Sequence, residues 1–130
     1  MPTILLADDD DGVRALLVER LAAAGFEVVA AADTASALRQ FTLHRHIDLC
    51  VVDLVMPSNV PDGAAFARSI RNRRPDIPII LITGYYSAAA SVSDVASTVI
   101  YKPLDLDRLV GEIERLLKCS PVPEPCAPAA

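Results

Sequence analysis

A chain of 130 residues, 52% of them hydrophobic, suits one domain with a single core and needs neither a metal nor a disulfide to hold it. Its formal charge of -5 argues against nucleic acid or an anionic membrane surface as partner, and no apolar run approaches the roughly 18 residues a membrane span requires. Met1-Pro2-Thr3-Ile4 lacks the basic start of a signal peptide and three cysteines cannot all pair, so the expectation is a cytoplasmic protein with reduced thiols.

Ile4-Leu5-Leu6-Ala7 is a short apolar run, expected to be the first strand, and it stops at four consecutive acids, Asp8 to Asp11. Val13, Leu16, Leu17 and Leu21 then recur at the spacing of one helical face, and Gly25 has the character of a helix-ending residue. Aspartates suit the positive end of that helix, but two at most are needed to cap it. Glu27 to Ala31 predicts a second strand. Asp33 or Thr34 caps a second helix carrying Ala37, Leu38 and Phe41, with His44, Arg45 and His46 as a solvated carboxyl end.

Leu49-Cys50-Val51-Val52 reads as a strand buried on both faces, of the kind found at the centre of a parallel sheet, with Cys50 a small core residue. The strand ends on Asp53, and Pro57 soon stops further pairing. Ser58 to Gly63 is turn chemistry before a helix with Ala64, Phe66, Ala67 and Ile70 on one face. Arg71, Arg73 and Arg74 at its end read as a solvated face rather than a phosphate patch. Pro78 to Ile82 predicts a fourth buried strand leading to Thr83-Gly84, and the Ala- and Ser-rich stretch from Ser87 to Ala96 a short fourth helix. Thr98 to Tyr101 predicts a fifth strand running into Lys102-Pro103. Leu106, Leu109, Val110, Ile113, Leu116 and Leu117 mark a last helix. After Lys118 the composition turns to Pro, Ala and Ser, so a domain over 1–118 and an extended or disordered tail over 119–130 are expected, with no output domain.

Five strands alternating with five helices imply an α/β fold whose parallel sheet is covered on both faces. Right-handed crossovers limit it to a doubly wound, flavodoxin-like sheet of order 2-1-3-4-5. Strand ends then converge on one edge, where this chain places Asp8, Asp9, Asp53, Thr83 and Lys102. Taken singly, each is explained by a cap, a turn or a snorkelling lysine. Together they form a chemical set. At an effective dielectric near 20, two like charges about 4 Å apart repel by about 4 kcal/mol. A divalent cation relieves this, and hard oxygen ligands favour Mg²⁺. Asp53 can then be a nucleophile toward a phosphoryl group, with Lys102 and the Thr83 hydroxyl stabilising its oxygens. The Gly84 amide adds a donor, and its lack of a side chain leaves room for the incoming group. No Gly-rich phosphate loop with a following Lys supports nucleotide hydrolysis.

The motifs A-D-D-D (from Ala7), V-V-D-L-V-M-P (from Val51), L-I-T-G (from Leu81) and Y-K-P-L (from Tyr101) resemble those of the receiver domain of two-component response regulators, over about Ile4 to Lys118. The resemblance implies that Asp53 is the phosphoacceptor, charged from the phosphohistidine of a histidine kinase or phosphotransfer protein. It implies Mg²⁺ held by Asp9 directly, by Asp8 mainly through water, and by Asp53 and the backbone carbonyl of Val55. Thr83 and Lys102 match the switch hydroxyl and the phosphate-pairing lysine. Slow hydrolysis would make the protein a timed switch rather than a turnover enzyme. Its downstream protein contact would use the surface of the predicted fourth helix, fifth strand and last helix, in a monomer or weak homodimer.

The chain also departs from that family. Val99 stands three residues before the lysine, where Tyr or Phe is usual; Tyr85, Tyr86 or Tyr101 are the available aromatics, and Tyr101 shares a strand face with Val99. The loop after Pro57 is about two residues long for the family, and Thr83 to Lys102 about three short, so a truncated fourth helix is expected. Two other readings follow: a receiver-like interaction domain that no longer switches, and an aspartyl-phosphate phosphohydrolase. Val55 opposes the second, because such enzymes carry a second acid two residues past the nucleophile.

Overall fold

The computed structural model describes residues 1–44, 46–53, 63–84 and 94–118. Strands β1 (Thr3–Ala7), β2 (Glu27–Ala31), β3 (Leu49–Asp53), β4 (Ile79–Thr83) and β5 (Thr98–Tyr101) form one parallel sheet in the order β2-β1-β3-β4-β5. Helices α1 (Asp11–Ala23), α2 (Thr34–Leu43), α3 (Gly63–Arg73) and α4 (Leu106–Lys118) connect and follow them. Four helices are thus seen among the described residues. The helix expected over Ser87 to Ala96 lies mostly outside them, as do Arg45, Val55, Tyr85, Tyr86 and the tail over 119–130; residues 94–97 form a turn and bend.

Every residue of β1, β3 and β4 is buried, which is why these strands are continuous apolar runs rather than alternating ones. Side chains alternate between the two faces of the sheet. Leu5, Cys50, Val52 and Leu81 pack in one layer with Phe41 of α2 and Phe66 and Ile70 of α3. Leu6, Leu49, Val51 and Ile80 pack in the other with Leu17 and Leu21 of α1 and Leu109 and Ile113 of α4. Edge strand β2 buries only Ala31. Cys50 is fully buried, and loss of water pushes its thiol up to about 12.

Helix ends follow from local chemistry. Asp10 accepts from the Val13 amide at 3.0 Å and caps α1. At the other end Gly25 takes φ of 98°, its amide donating to Ala22 O while Phe26 N donates to Leu21 O. This is the paired C-terminal bonding that favours glycine. Of the two candidate caps of α2, Asp33 does the work, accepting from Ser36 N at 2.7 Å, and Thr34 is buried.

Two sequence expectations are corrected. Val13 and Leu16 do not join the core: they are 38% and 51% exposed, because the buried stripe of α1 runs through Leu17 and Leu21 and is flanked by Val18. Of the arginines closing α3, Arg71 and Arg74 are not a solvated face, whereas Arg73 stays exposed as expected. Arg71 donates to the carbonyls of Pro75, Ile77 and Val95 at 2.6–2.7 Å. Arg74 donates to Ile47 O at 2.6 Å and lies over the Phe41 ring, and Arg73 reaches the Thr42 hydroxyl at 2.8 Å. A planar fork with five donors can satisfy several turn carbonyls that no ladder covers.

Candidate functional site

The chain steps outward from β1 to β2 and returns to the other side of β1 as β3, so the crossovers diverge at the carboxyl ends of β1 and β3. In open α/β sheets that point is the ligand crevice. Register does the rest. Ala7 pairs with Val52, so the next residue of each strand, Asp8 and Asp53, emerges side by side. Asp8, Asp9 and Asp53 each offer a carboxylate oxygen, all within 4.8 Å of one another. Asp8 and Asp53 are buried and Asp9 is half-buried.

The turn between β1 and α1 is held by the acids themselves. Asp8 accepts from the Asp10 amide at 2.9 Å, and its own amide donates to Ala31 O at 3.1 Å. Burial pushes the Asp8 carboxyl above its ordinary range; the Asp10 amide pulls it down, the Asp53 and Asp9 charges push it up, and Lys102 pulls it down.

Lys102 arrives from the end of β5. Its ammonium Nζ lies 3.0 Å from Asp53 Oδ2, while its amide donates to Thr83 O at 2.8 Å. Its side chain is 45% exposed, so the charge bridges the buried acid and solvent. Asp53 pairs with Ile82 across β3–β4, which puts the fully buried Thr83 one residue beyond it. The structure therefore brings together Asp8, Asp9, Asp53, Thr83 and Lys102 from the ends of four strands. Gly84 follows Thr83 and is exposed. A Cβ there would stand 3.9 Å from Lys102 Cβ, an ordinary contact, so space on the lysine side does not demand glycine. Val99 is half-buried against the α2–α3 layer and Tyr101 is half-buried. The Val55 carbonyl lies outside the described residues.

Three carboxylates against one ammonium leave the crevice anionic, and hard oxygens at this spacing match a small divalent cation such as Mg²⁺. A carboxylate beside a bound cation and an ammonium can attack phosphorus and have the transferred oxygens neutralised. The fold supplies one participant absent from the motifs. Arg14 donates to the Asp8 backbone carbonyl at 2.8 Å and pairs with Asp11 at 2.5 Å, pinning the acidic turn. The sequence signal was a cation in the first turn of a helix, where the dipole favours acids.

Comparison with known proteins identifies the family. The family model described as response regulator receiver domain matches residues 4–114. The response regulator receiver protein CpdR of Brucella abortus is 37% identical over 120 residues, covering 90% of this chain and 98% of that protein. The transcriptional regulatory protein PrrA of Mycobacterium tuberculosis is 35% identical over 120 residues, 90% of this chain but 50% of PrrA, so the chain spans half that relative's length. Among solved structures, the response regulator TrrA of Thermotoga maritima, in complex with Mg²⁺-BeF, superposes with a TM-score of 0.81 at 32% identity, over 89% of this chain and 99% of that one.

Proposed function

Because this chain belongs to the receiver domains of two-component response regulators, we propose that Asp53 is its phosphoacceptor and that Lys102 and Thr83 read the modification. In the transfer, a carboxylate oxygen of Asp53 attacks the phosphorus of a phosphohistidine. The P–N bond breaks, its electron pair stays on the imidazole nitrogen, and an acyl phosphate forms on Asp53. The observation that carries the reading is the buried Asp53 carboxylate, 3.0 Å from the Lys102 ammonium and within 4.8 Å of two more acids.

Asp9 would hold Mg²⁺ directly and Asp8 mainly through water, with Asp53 and the Val55 carbonyl completing the protein's ligands. When bound, the ion neutralises charge on the phosphoryl oxygens. Lys102, already seated on Asp53, moves onto a phosphoryl oxygen once the carboxylate is phosphorylated, and the Thr83 hydroxyl donates to another. Gly84 offers its amide. Thr83 closes β4 and Lys102 directly follows β5, so their movement shifts the chain that leaves each strand. Receiver domains act with histidine kinases and downstream effector domains, and regulate rather than turn over substrate. Here the downstream contact falls on the stretch before β5, on β5 and on α4, in a cytoplasmic monomer or weak homodimer. Hydrolysis is slow, since residue 55 offers no acid or amide to position water.

A second reading, a receiver that accepts phosphate without an aromatic switch, is favoured by Val99, which packs against the α2–α3 layer where the family usually carries an aromatic ring. One experiment tests the main reading. Treatment with acetyl phosphate and Mg²⁺ should add one phosphoryl group, located on Asp53 by mass spectrometry and lost in Asp53→Asn. Undiminished labelling of that variant overturns the assignment.

A further inference from the structure

On the face of the sheet opposite α1 and α4, a groove of about 480 Å³ runs between α2 and α3. It is walled by Leu38, Phe66 and Leu43, the last 72% exposed. That volume falls within the range of built binding sites, roughly 300–1,000 Å³, and the crevice chemistry uses none of it. Exposed contiguous apolar surface marks contact sites.

Its charge is as distinctive as its shape. The chain carries 17 acids against 12 Lys and Arg, yet neither helix of the groove contains Asp or Glu. Thr34–Leu43 holds Arg39, and Gly63–Arg73 holds Arg68, Arg71 and Arg73. Two of these are committed: Arg68 pairs with Asp94 at 3.0 Å, and Arg71 serves backbone carbonyls. Arg39 and Arg73 line the groove, bonded to the hydroxyls of Ser36 and Thr42, and among the described residues no carboxylate pairs with either. Asp33, just before α2, is committed as its cap.

We infer that this groove docks an acidic amphipathic helix of a partner protein, apolar side chains seated on Leu38 and Leu43 above the buried Phe66 ring, carboxylates meeting Arg39 and Arg73. The ten residues of α2 give a wall about 15 Å long at 1.5 Å per residue. That length accepts anchors at i, i+3, i+4 and i+7 of a helix laid along it. Guanidinium forks take carboxylates in two-point contact. On a chain whose net charge is -5, an acidic helix is favoured on this acid-free, basic pair of helices, which sets its orientation. An apolar floor between two cations suits a protein helix; a nucleic-acid backbone wants a polar track of phosphate contacts. The surface is independent of Asp53 chemistry and stands whether or not that residue is phosphorylated.

The test uses the full chain, ¹⁵N-labelled, and a capped helical peptide of about 14 residues (roughly four turns) with Leu at i, i+3, i+4, i+7 and Glu on its flanks. A twin carries Lys for Glu. The Glu peptide should shift the amides of Leu38, Leu43, Phe66 and Arg73 and bind at least about tenfold tighter than its twin. Reversing charge with Arg39→Glu and Arg73→Glu should swap the preference. Arg39→Glu alone, at an exposed side chain, keeps the test valid if the double variant melts early. The proposal is overturned by shifts confined to α1 or α4, by equal binding of the two peptides, by unchanged preference in the reversed variants, or by an oligonucleotide binding these residues more tightly than the Glu peptide.

Discussion

The crevice at the strand ends and the groove between α2 and α3 are opposite solutions for placing charge on one small domain. In the crevice, Asp8 and Asp53 are buried with Asp9 half-buried beside them, and Asp8 is pushed up chiefly because water is gone. In the groove, Arg39 and Arg73 flank an apolar floor and meet no acid among the described residues. The comparison teaches that burial decides what a charge is suited to: crowded and dry, it suits holding a cation; solvated beside apolar surface, it suits contact with an oppositely charged group.

The sharpest way to break that contrast is at Asp53. Asp53→Asn should reduce phosphoryl labelling at least about 100-fold while far-ultraviolet circular dichroism stays native, since one buried carboxylate is the only nucleophile invoked. Phe66→Ala should cost about 3–5 kcal/mol, because the ring is both core and groove floor, yet leave labelling of the folded fraction intact. Urea denaturation alongside labelling checks it, and coupled loss of both would merge the two regions into one. Asp9→Ala should weaken Mg²⁺ binding at least tenfold, about 1.4 kcal/mol, read by titration, with no effect on the groove. The smallest effect belongs to an ion pair at the surface of α4. Hydrogen bonding from Arg115 holds Glu112 below its ordinary carboxylate range. A lowered folded value means its contribution is present above the unfolded value, about 4.3, and is lost as pH falls through the folded one. Glu112→Gln should therefore cost less than about 1 kcal/mol near pH 7 and progressively less as pH falls below the unfolded value, checked by thermal melts across that range.

How far each region could be read in advance follows from what positions it. Strands β1, β3 and β4 announced themselves because two-sided burial demands unbroken apolar runs, and the acids at the ends of β1 and β3 fell into one crevice once the sheet order was set. Boundaries drifted by a residue, as where β4 takes Thr83 and leaves Pro78 outside. Long side chains were opaque. Arg71 and Arg74 looked like solvated charge because partners such as Val95 O and Ile47 O lie more than twenty residues away in sequence. Leu16 kept the helical spacing but lost its place when the sheet chose a different stripe of α1. The groove had no motif at all, since it exists only after two crossovers lay α2 beside α3.

The buried cysteine at the middle of β3 has a practical consequence. A thiol held near 12 and cut off from solvent reacts with an alkylating reagent only when the central strand is exposed by opening of the domain. With Cys119 and Cys126 replaced by serine, the alkylation rate of Cys50 becomes an intrinsic stopwatch for that opening. It would report, without any added dye, how much phosphorylation, Mg²⁺ or a docked helix slows the clock.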